Sequence, residues 1–229
     1  MKLGIMQPYF LPYIGYFQLI SAVDKYVLYD DVNYIKGGWI NRNRILFNGY
    51  ALMINVPTQG ASSFKKINEI KVGKYKEKLL PTIEQAYRKA PYYNDVFPLI
   101  IEIVKYDNDN LAYFIANSII KLAEYIHINT EFILSSEIEK DNELKSQKKV
   151  LSICKLLQAS EYYNAIGGQE LYEKSVFAGN NIELNFLKTK PISYRQFNNQ
   201  FIPGLSIIDI MMFNSHEEII EMLQQYELI

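Results

Sequence analysis

Short apolar runs alternate with segments of helical spacing along most of this chain. Lys2–Met6 is apolar and stops at Gln7-Pro8, where proline cannot donate to a central ladder. Gly15–Val23 places Tyr16, Leu19, Ile20 and Val23 on one helical face, and Lys25–Asp30 reads as a second strand. Strand, helix and strand within about 30 residues predict a βαβ unit, with parallel pairing and a right-handed crossover.

The period changes after that unit. Arg44–Phe47 and Ala51–Val56 flank Asn48-Gly49, a hairpin turn pair. Lys74–Lys89 reads as a helix with Pro81 as its awkward member, and Phe97–Val104 and Leu111–Ile126 extend a helical layer. Alternation then resumes, with strands at Glu131–Leu134, Tyr162–Ala165 and Ile182–Leu187. Helices are predicted at Leu144–Leu157, Gln169–Ala178, Ser206–Phe213 and Ser215–Tyr226, the last opened by a Ser215/Glu218 capping box. The expected fold is α/β: a mostly parallel, Rossmann-like sheet flanked by helices, in one domain over 1–229. An antiparallel hairpin and helical insertion should occupy approximately 44–126.

Composition narrows the function classes. Of 229 residues, 49% are hydrophobic and 21% charged, far from a disordered composition, and the net charge of -1 gives no field drawing the chain to nucleic acid. No apolar run approaches the roughly 18 residues of a spanning helix, and no signal-peptide pattern opens the chain. A lone cysteine, Cys154, excludes an internal disulfide and fits a reducing compartment, so a cytoplasmic location is expected. Nineteen tyrosines reflect either a codon bias shared with Ile, Asn and Lys, or flat hydroxyl-bearing surfaces suited to a sugar or base.

Polar and aromatic residues gather at the expected carboxyl ends of strands, where open α/β sheets bind ligands. Between the first strand and helix lie Gln7, Tyr9, Tyr13, Gly15 and Tyr16, which could hydrogen-bond, stack or admit a close backbone approach. Asp30 and Asp31 end the second strand, and a carboxylate there could serve a ribose, a metal, an amine or simply the turn. In Trp39-Ile40-Asn41-Arg42-Asn43-Arg44, extended backbone would put Arg42 and Arg44 on one face roughly 7 Å apart, a spacing suited to a diphosphate or carboxylate. Asn41 and Asn43 would fall on the other face. Gly167-Gly168 could offer N–H groups to an anion or form an ordinary turn, and Ser206 and Asp209 read as N-cap and N3 of a helix. His127, His216 and Cys154 have no ligand-spaced partners, so no metal site is expected.

The segments QPYFLPYIGYF (7–17), DKYVLYDDV (24–32), WINRNRI (39–45) and FIPGLSIID (201–209) together resemble the WbqC-like family over nearly the whole chain. Members are associated with bacterial O-antigen and other polysaccharide gene clusters, and some are described as glycine transferases. The resemblance implies transfer of an aminoacyl (glycyl) group to the amino group of a nucleotide-linked amino sugar. Its partners would be that sugar and an amino acid donor, with no membrane and no nucleic acid unless aminoacyl-tRNA is the donor. In that reading Gln7, Tyr16 and Asp30 act at the reacting centre, with Asp30 contacting the attacking amine or acting as its base. Tyr9, Tyr13, Gly15, Trp39, Asn41, Arg42, Arg44, Gly167 and Gly168 bind substrate. A more distant likeness aligns Tyr13-Ile14-Gly15-Tyr16 with the H-x-G-H motif of nucleotidylyltransferases, which makes ATP a possible cofactor and an adenylate-forming ligase an alternative. A non-catalytic nucleotide-sugar-binding module is the other, since both histidine positions here are tyrosine.

Overall fold

The computed structural model describes residues 1–198 and 200–229 and has a mixed α/β fold, as the alternation predicts. Six strands form the main sheet: β1 (Lys2–Met6), β2 (Lys25–Leu28), β7 (Glu131–Leu134), β8 (Glu161–Ala165), β9 (Glu183–Thr189) and β10 (Tyr226–Leu228). Their order is β10-β9-β8-β1-β2-β7, parallel throughout except for β10. The first crossover runs through α1 (Ile14–Ser21).

Period-two alternation sorts the strand side chains onto two faces. Leu3, Ile5, Val27, Tyr162, Leu184 and Phe186 pack beneath α5 (Ser146–Leu156) and α6 (Lys174–Ala178). Tyr26, Leu28, Tyr163 and Leu187 face the larger core, shared with α1 and the remaining helices. Gly4 lies on that second face because the Tyr26 ring covers it: a Cβ there would sit 2.7 Å from Tyr26 Cδ2.

Between β2 and β7 the chain leaves the main sheet. The predicted hairpin is present as β3 (Arg42–Phe47) and β4 (Tyr50–Asn55), and two short strands, β5 (Thr58–Gln59) and β6 (Lys71–Val72), pair beside it. Helices α2 (Leu79–Tyr87), α3 (Tyr93–Lys105) and α4 (Leu111–Tyr125) follow. Pro81 is harmless because it falls in the first turn of α2, where its missing N–H has no intrahelical partner to lose. The chain closes with α7 (Ile207–Phe213), α8 (His216–Leu223) and β10, and the Ser215/Glu218 capping box is formed.

The helix expected from Lys74 begins at Leu79, behind a 3-10 turn over Lys76–Lys78, and two others are divided or cut short. Gln169–Ala178 splits into a 3-10 turn over Ile166–Leu171 and the short α6. Tyr172 between them is extended, so that its ring meets Tyr162 and Phe177 edge-on. Ser215–Tyr226 ends early, at Leu223. The buried Gln18 amide of α1 donates to the carbonyls of Met222 and Gln225 at 2.8 and 3.1 Å, and the chain then turns to add β10 to β9. Gln18 also accepts from the Thr189 hydroxyl at 2.8 Å. One side chain thus joins α1, β9 and the chain's last turn.

Replacing Gln18 by Leu strands those buried groups. The folded state should lose about 3 kcal/mol, read as a lower urea midpoint at unchanged m-value.

Candidate functional site

The strand order reverses direction between β1 and β8: β2 and β7 are added on one side, β8 and β9 on the other. At such a point the loops after neighbouring strands diverge and leave a crevice at their carboxyl ends. Here it is a cavity of about 430 Å³ whose walls include Gln7, Tyr9, Tyr29, Asn164, Gly167 and Tyr172. A second hollow, of about 270 Å³, shares Tyr9 with the first and is lined by Tyr13, Trp39, Asn43, Arg44 and Gly204. Together they line the carboxyl edge of the sheet.

Three separate sequence motifs meet there through one carbonyl. The Leu11 oxygen accepts from Asn43 Nδ2 at 2.8 Å and from the Ser206 hydroxyl at 2.7 Å, fixing the 7–13 loop to β3 and to the start of α7. Ser206 N–H donates to Arg44 O and Ile207 N–H to Pro12 O, closing the junction. Leu11 is held at φ 44°, a left-handed conformation disfavoured for a residue with a Cβ by about 1–2 kcal/mol. Ser206 also caps α7, as its position predicted. Asp209, by contrast, is buried and accepts from the Tyr87 and Tyr194 hydroxyls and from Gln196.

Arg42 and Arg44 share one face of β3, with Trp39 beside both: the guanidinium carbons lie 5.9 and 5.6 Å from its ring centre. Their surroundings differ. Arg42 is folded back onto the carbonyls of Gly37 and Gly38, whereas Arg44 lines the second hollow and donates to Gly204 O at 3.1 Å. Asn41 lies in the turn before β3, Asn43 within the strand, and both are engaged by protein groups, although Asn43 also lines the second hollow. Asn41 is held by the Tyr34 hydroxyl and Val56 O, Asn43 by the Leu11 junction.

Several expected site residues stand elsewhere. Asp30 is fully buried, and its two oxygens accept from the Ser136 N–H and hydroxyl at 2.9 and 2.6 Å, so the carboxylate secures the end of β2 and lines neither hollow. Tyr16 is buried, with its hydroxyl donating to Gln7 O at 2.9 Å, and burial first of all raises its pKa. Gly15 admits a close approach, but of protein: a Cβ there would meet the Tyr13 ring at 2.4 Å and the Thr189 hydroxyl at 2.5 Å. Gly167 and Gly168, by contrast, both line the crevice, Gly167 facing open space and Gly168 backing onto Asn164.

Tyr29 and Tyr172 were missed in the sequence, although the strand-end rule that selected Asp30 covers its neighbour Tyr29 equally. Burial raises the pKa of Tyr9, Tyr13, Tyr29 and Tyr172, so the walls present protonated phenols. No carboxylate or imidazole lines either hollow among the described residues. Nor does any group of three His, Cys, Asp or Glu among them stand placed to hold a metal, and no described helix is long and apolar enough to cross a membrane.

Behind Tyr29, Asp31 accepts from Lys140 and Lys149 at 3.0 and 2.9 Å, all three side chains being buried, and the Lys149 ammonium lies 5.3 Å from the Tyr29 ring centre. Burial by itself would raise the Asp31 pKa, but Lys149, Ser135 and Lys140 outweigh it and hold the carboxyl below its usual range.

A family model for the WbqC-like protein family matches residues 7–221. The chain belongs to that family. This WbqC-like chain is also 26% identical over 215 residues to Uncharacterized protein Rv1507c of Mycobacterium tuberculosis (strain ATCC 25618 / H37Rv), covering 92% of each. No solved structure matches it. The four segments that carried the resemblance are the ones that build the sheet edge. Three of them converge on Leu11, and the segment 24–32 supplies Tyr29.

Two measurements follow from this geometry. Because Asn43 and Ser206 share one acceptor, either loss leaves Leu11 O a partner and both together leave none. The double variant Asn43→Leu/Ser206→Ala should therefore be less stable than the sum of the singles by about 1 kcal/mol in denaturant titrations. For Asp31, a depressed folded pKa means stability that is present above the ordinary carboxyl pKa and lost as pH falls through the folded value. The stability gap between wild type and Asp31→Asn should stay constant near neutrality and shrink progressively below about pH 4.

Proposed function

We propose that this chain is an aminoacyl, specifically glycyl, transferase that acts on the amino group of a nucleotide-linked amino sugar in bacterial surface polysaccharide synthesis. The observation that carries the reading is the pairing of two adjoining hollows of different chemistry. One offers a guanidinium beside an indole, Arg44 and Trp39, suited to a diphosphate. The other, at the switch point, offers Gln7, Asn164 and phenols that remain protonated, a set of mixed donors and acceptors suited to sugar hydroxyls.

In this reading the sugar lies in the crevice with its amine directed at an activated glycyl ester. The amine nitrogen attacks the acyl carbon, the acyl–oxygen bond breaks with its electron pair, and the departing oxygen takes the proton lost by nitrogen. Gln7 and the phenols hold the amine in line, so the protein's contribution is positioning. Asp30, engaged by Ser136, supports the end of β2 in place of the basic role given to it above. Tyr16 fixes the backbone carbonyl of Gln7. ATP, where used, would serve to activate the donor.

One observation favours a second reading, a nucleotide-sugar-binding partner of another enzyme: the hollows hold no carboxylate or imidazole to serve as a general base among the described residues. Mass spectrometry separates the two. A nucleotide-linked amino sugar that gains the mass of one glycyl group on incubation with the protein and an activated glycyl donor supports the transferase. Binding without product, across oxygen-ester, thioester and tRNA-linked donors, supports the partner.

Both readings place the diphosphate on Arg44. Arg44→Ala should weaken a nucleotide-linked amino sugar at least tenfold by calorimetry. Arg42→Ala should cost less, because Arg42 is spent on the Gly37 and Gly38 carbonyls. Unchanged affinity in Arg44→Ala would remove the assignment.

A further inference from the structure

A third hollow, of about 460 Å³, opens where β9 ends. It lies between Tyr13 and the segment that joins β9, ending at Thr189, to α7, starting at Ile207. That segment forms no helix or strand among its described residues, and connections of more than about 12–15 residues without such structure are uncommon outside functional loops. It is nevertheless held firmly. Gln196 donates to Ile202 O at 3.1 Å and accepts from Ile202 N–H at 2.8 Å. Tyr194 and Gln196 both donate to the buried Asp209, at 2.6 and 2.7 Å. Burial raises the Asp209 pKa, and no cation is paired with it among the described residues. A buried carboxyl satisfied by two phenols and an amide is a costly way to shape a loop, and what it shapes is the wall of this hollow.

The walls are flat and apolar. Tyr13, Tyr194 and Phe201 contribute rings, Tyr194 and Phe201 meeting edge-on at 5.1 Å, with Pro191 and Ile192 between them. Lys190 is exposed beside it, and no carboxylate lines the space among the described residues. The hollow shares Tyr13 and Gly204 with the Arg44–Trp39 hollow, and the Gly204 carbonyl is the one that Arg44 holds. An aromatic-walled cavity next to a guanidinium matches a planar base joined to phosphates.

We propose that this hollow is the nucleobase subsite. It rests on the reading of Arg44 as a diphosphate contact and gives the ligand its direction: base at the end of β9, phosphates over Arg44 and Trp39, sugar in the crevice between β1 and β8. Tyr13 is the shared wall on which the base turns into the phosphate region.

Calorimetry with UDP, dTDP, CDP and GDP, and separately with glucosamine 1-phosphate, tests this. Ser193→Trp fills the hollow from an exposed position, and Phe201→Ala removes a wall. At least one nucleoside diphosphate should bind wild type, and both variants should weaken it tenfold or more while glucosamine 1-phosphate changes less than twofold. A second measurement needs no variant: 5-iodo-UDP, irradiated on the intact protein, should cross-link to the peptide carrying Tyr194 or Phe201. If the variants bind nucleoside diphosphates normally, Arg44→Ala does not, and cross-links fall on Tyr29 or Tyr172, the base lies in the crevice. The inference then fails while the proposed function stands. If wild type binds glucosamine 1-phosphate but no nucleoside diphosphate, the inference fails together with the nucleotide part of that function. Binding of neither overturns both.

Discussion

The hollow that holds Arg44 and Trp39 at the carboxyl edge of the sheet hangs on the Leu11 carbonyl. A carbonyl oxygen has two lone pairs, and here Asn43 takes one and Ser206 the other. That is enough to bring together the loop after β1, the start of the hairpin and the start of α7, which lie far apart in the chain. The left-handed backbone at Leu11 is a modest cost set against two buried hydrogen bonds and the neighbouring backbone pairs. Without this junction Trp39, Arg44, Tyr13 and Gly204 would have no reason to face one another.

The structure divides its polar residues into two groups with different tasks. Asp30, Gln18 and Asp209 are engaged internally, each joining segments distant in sequence, and Asn41 is engaged within its own hairpin region. Gln7, Arg44, Asn164 and four tyrosines line the hollows. The acidic groups belong to the internal set and the neutral or cationic ones to the cavities. Such a surface recognises an anion carrying hydroxyl groups better than it recognises a cation. The buried Lys140–Asp31–Lys149 cluster adds a surplus positive charge behind Tyr29 and reinforces that bias.

Much of the fold was legible because its strands are short, apolar and regularly spaced. The βαβ unit, the Asn48-Gly49 hairpin, the α4 stripe and the Ser215 capping box all follow from local patterns. The failures share a cause. The helix read from Ser215 stops where Gln18, two hundred residues away, captures its last carbonyls, and Tyr172 breaks another because its ring has a place against Tyr162. Strand-end reasoning pointed to the edge of the sheet where the hollows lie and to several residues that line them. It could not choose between Tyr29 and Asp30, since which of two neighbours faces the crevice depends on the turn over Ser136.

The sequence by itself determined the family, the alternation of strands and helices, and the edge at which polar and aromatic residues collect. These rest on periodicity and on motifs that are contiguous in the chain. Only the tertiary structure decided which of those residues are free to meet a ligand. Arg42 and Arg44 look equivalent on paper, yet one is bound to its own loop and the other lines a cavity. Asp30 and Tyr16 read as site residues and are buried hydrogen-bonding partners. The physical reason is that a side chain's task follows from which donors and acceptors reach it, and those come from segments brought close only when the sheet and its helices have packed.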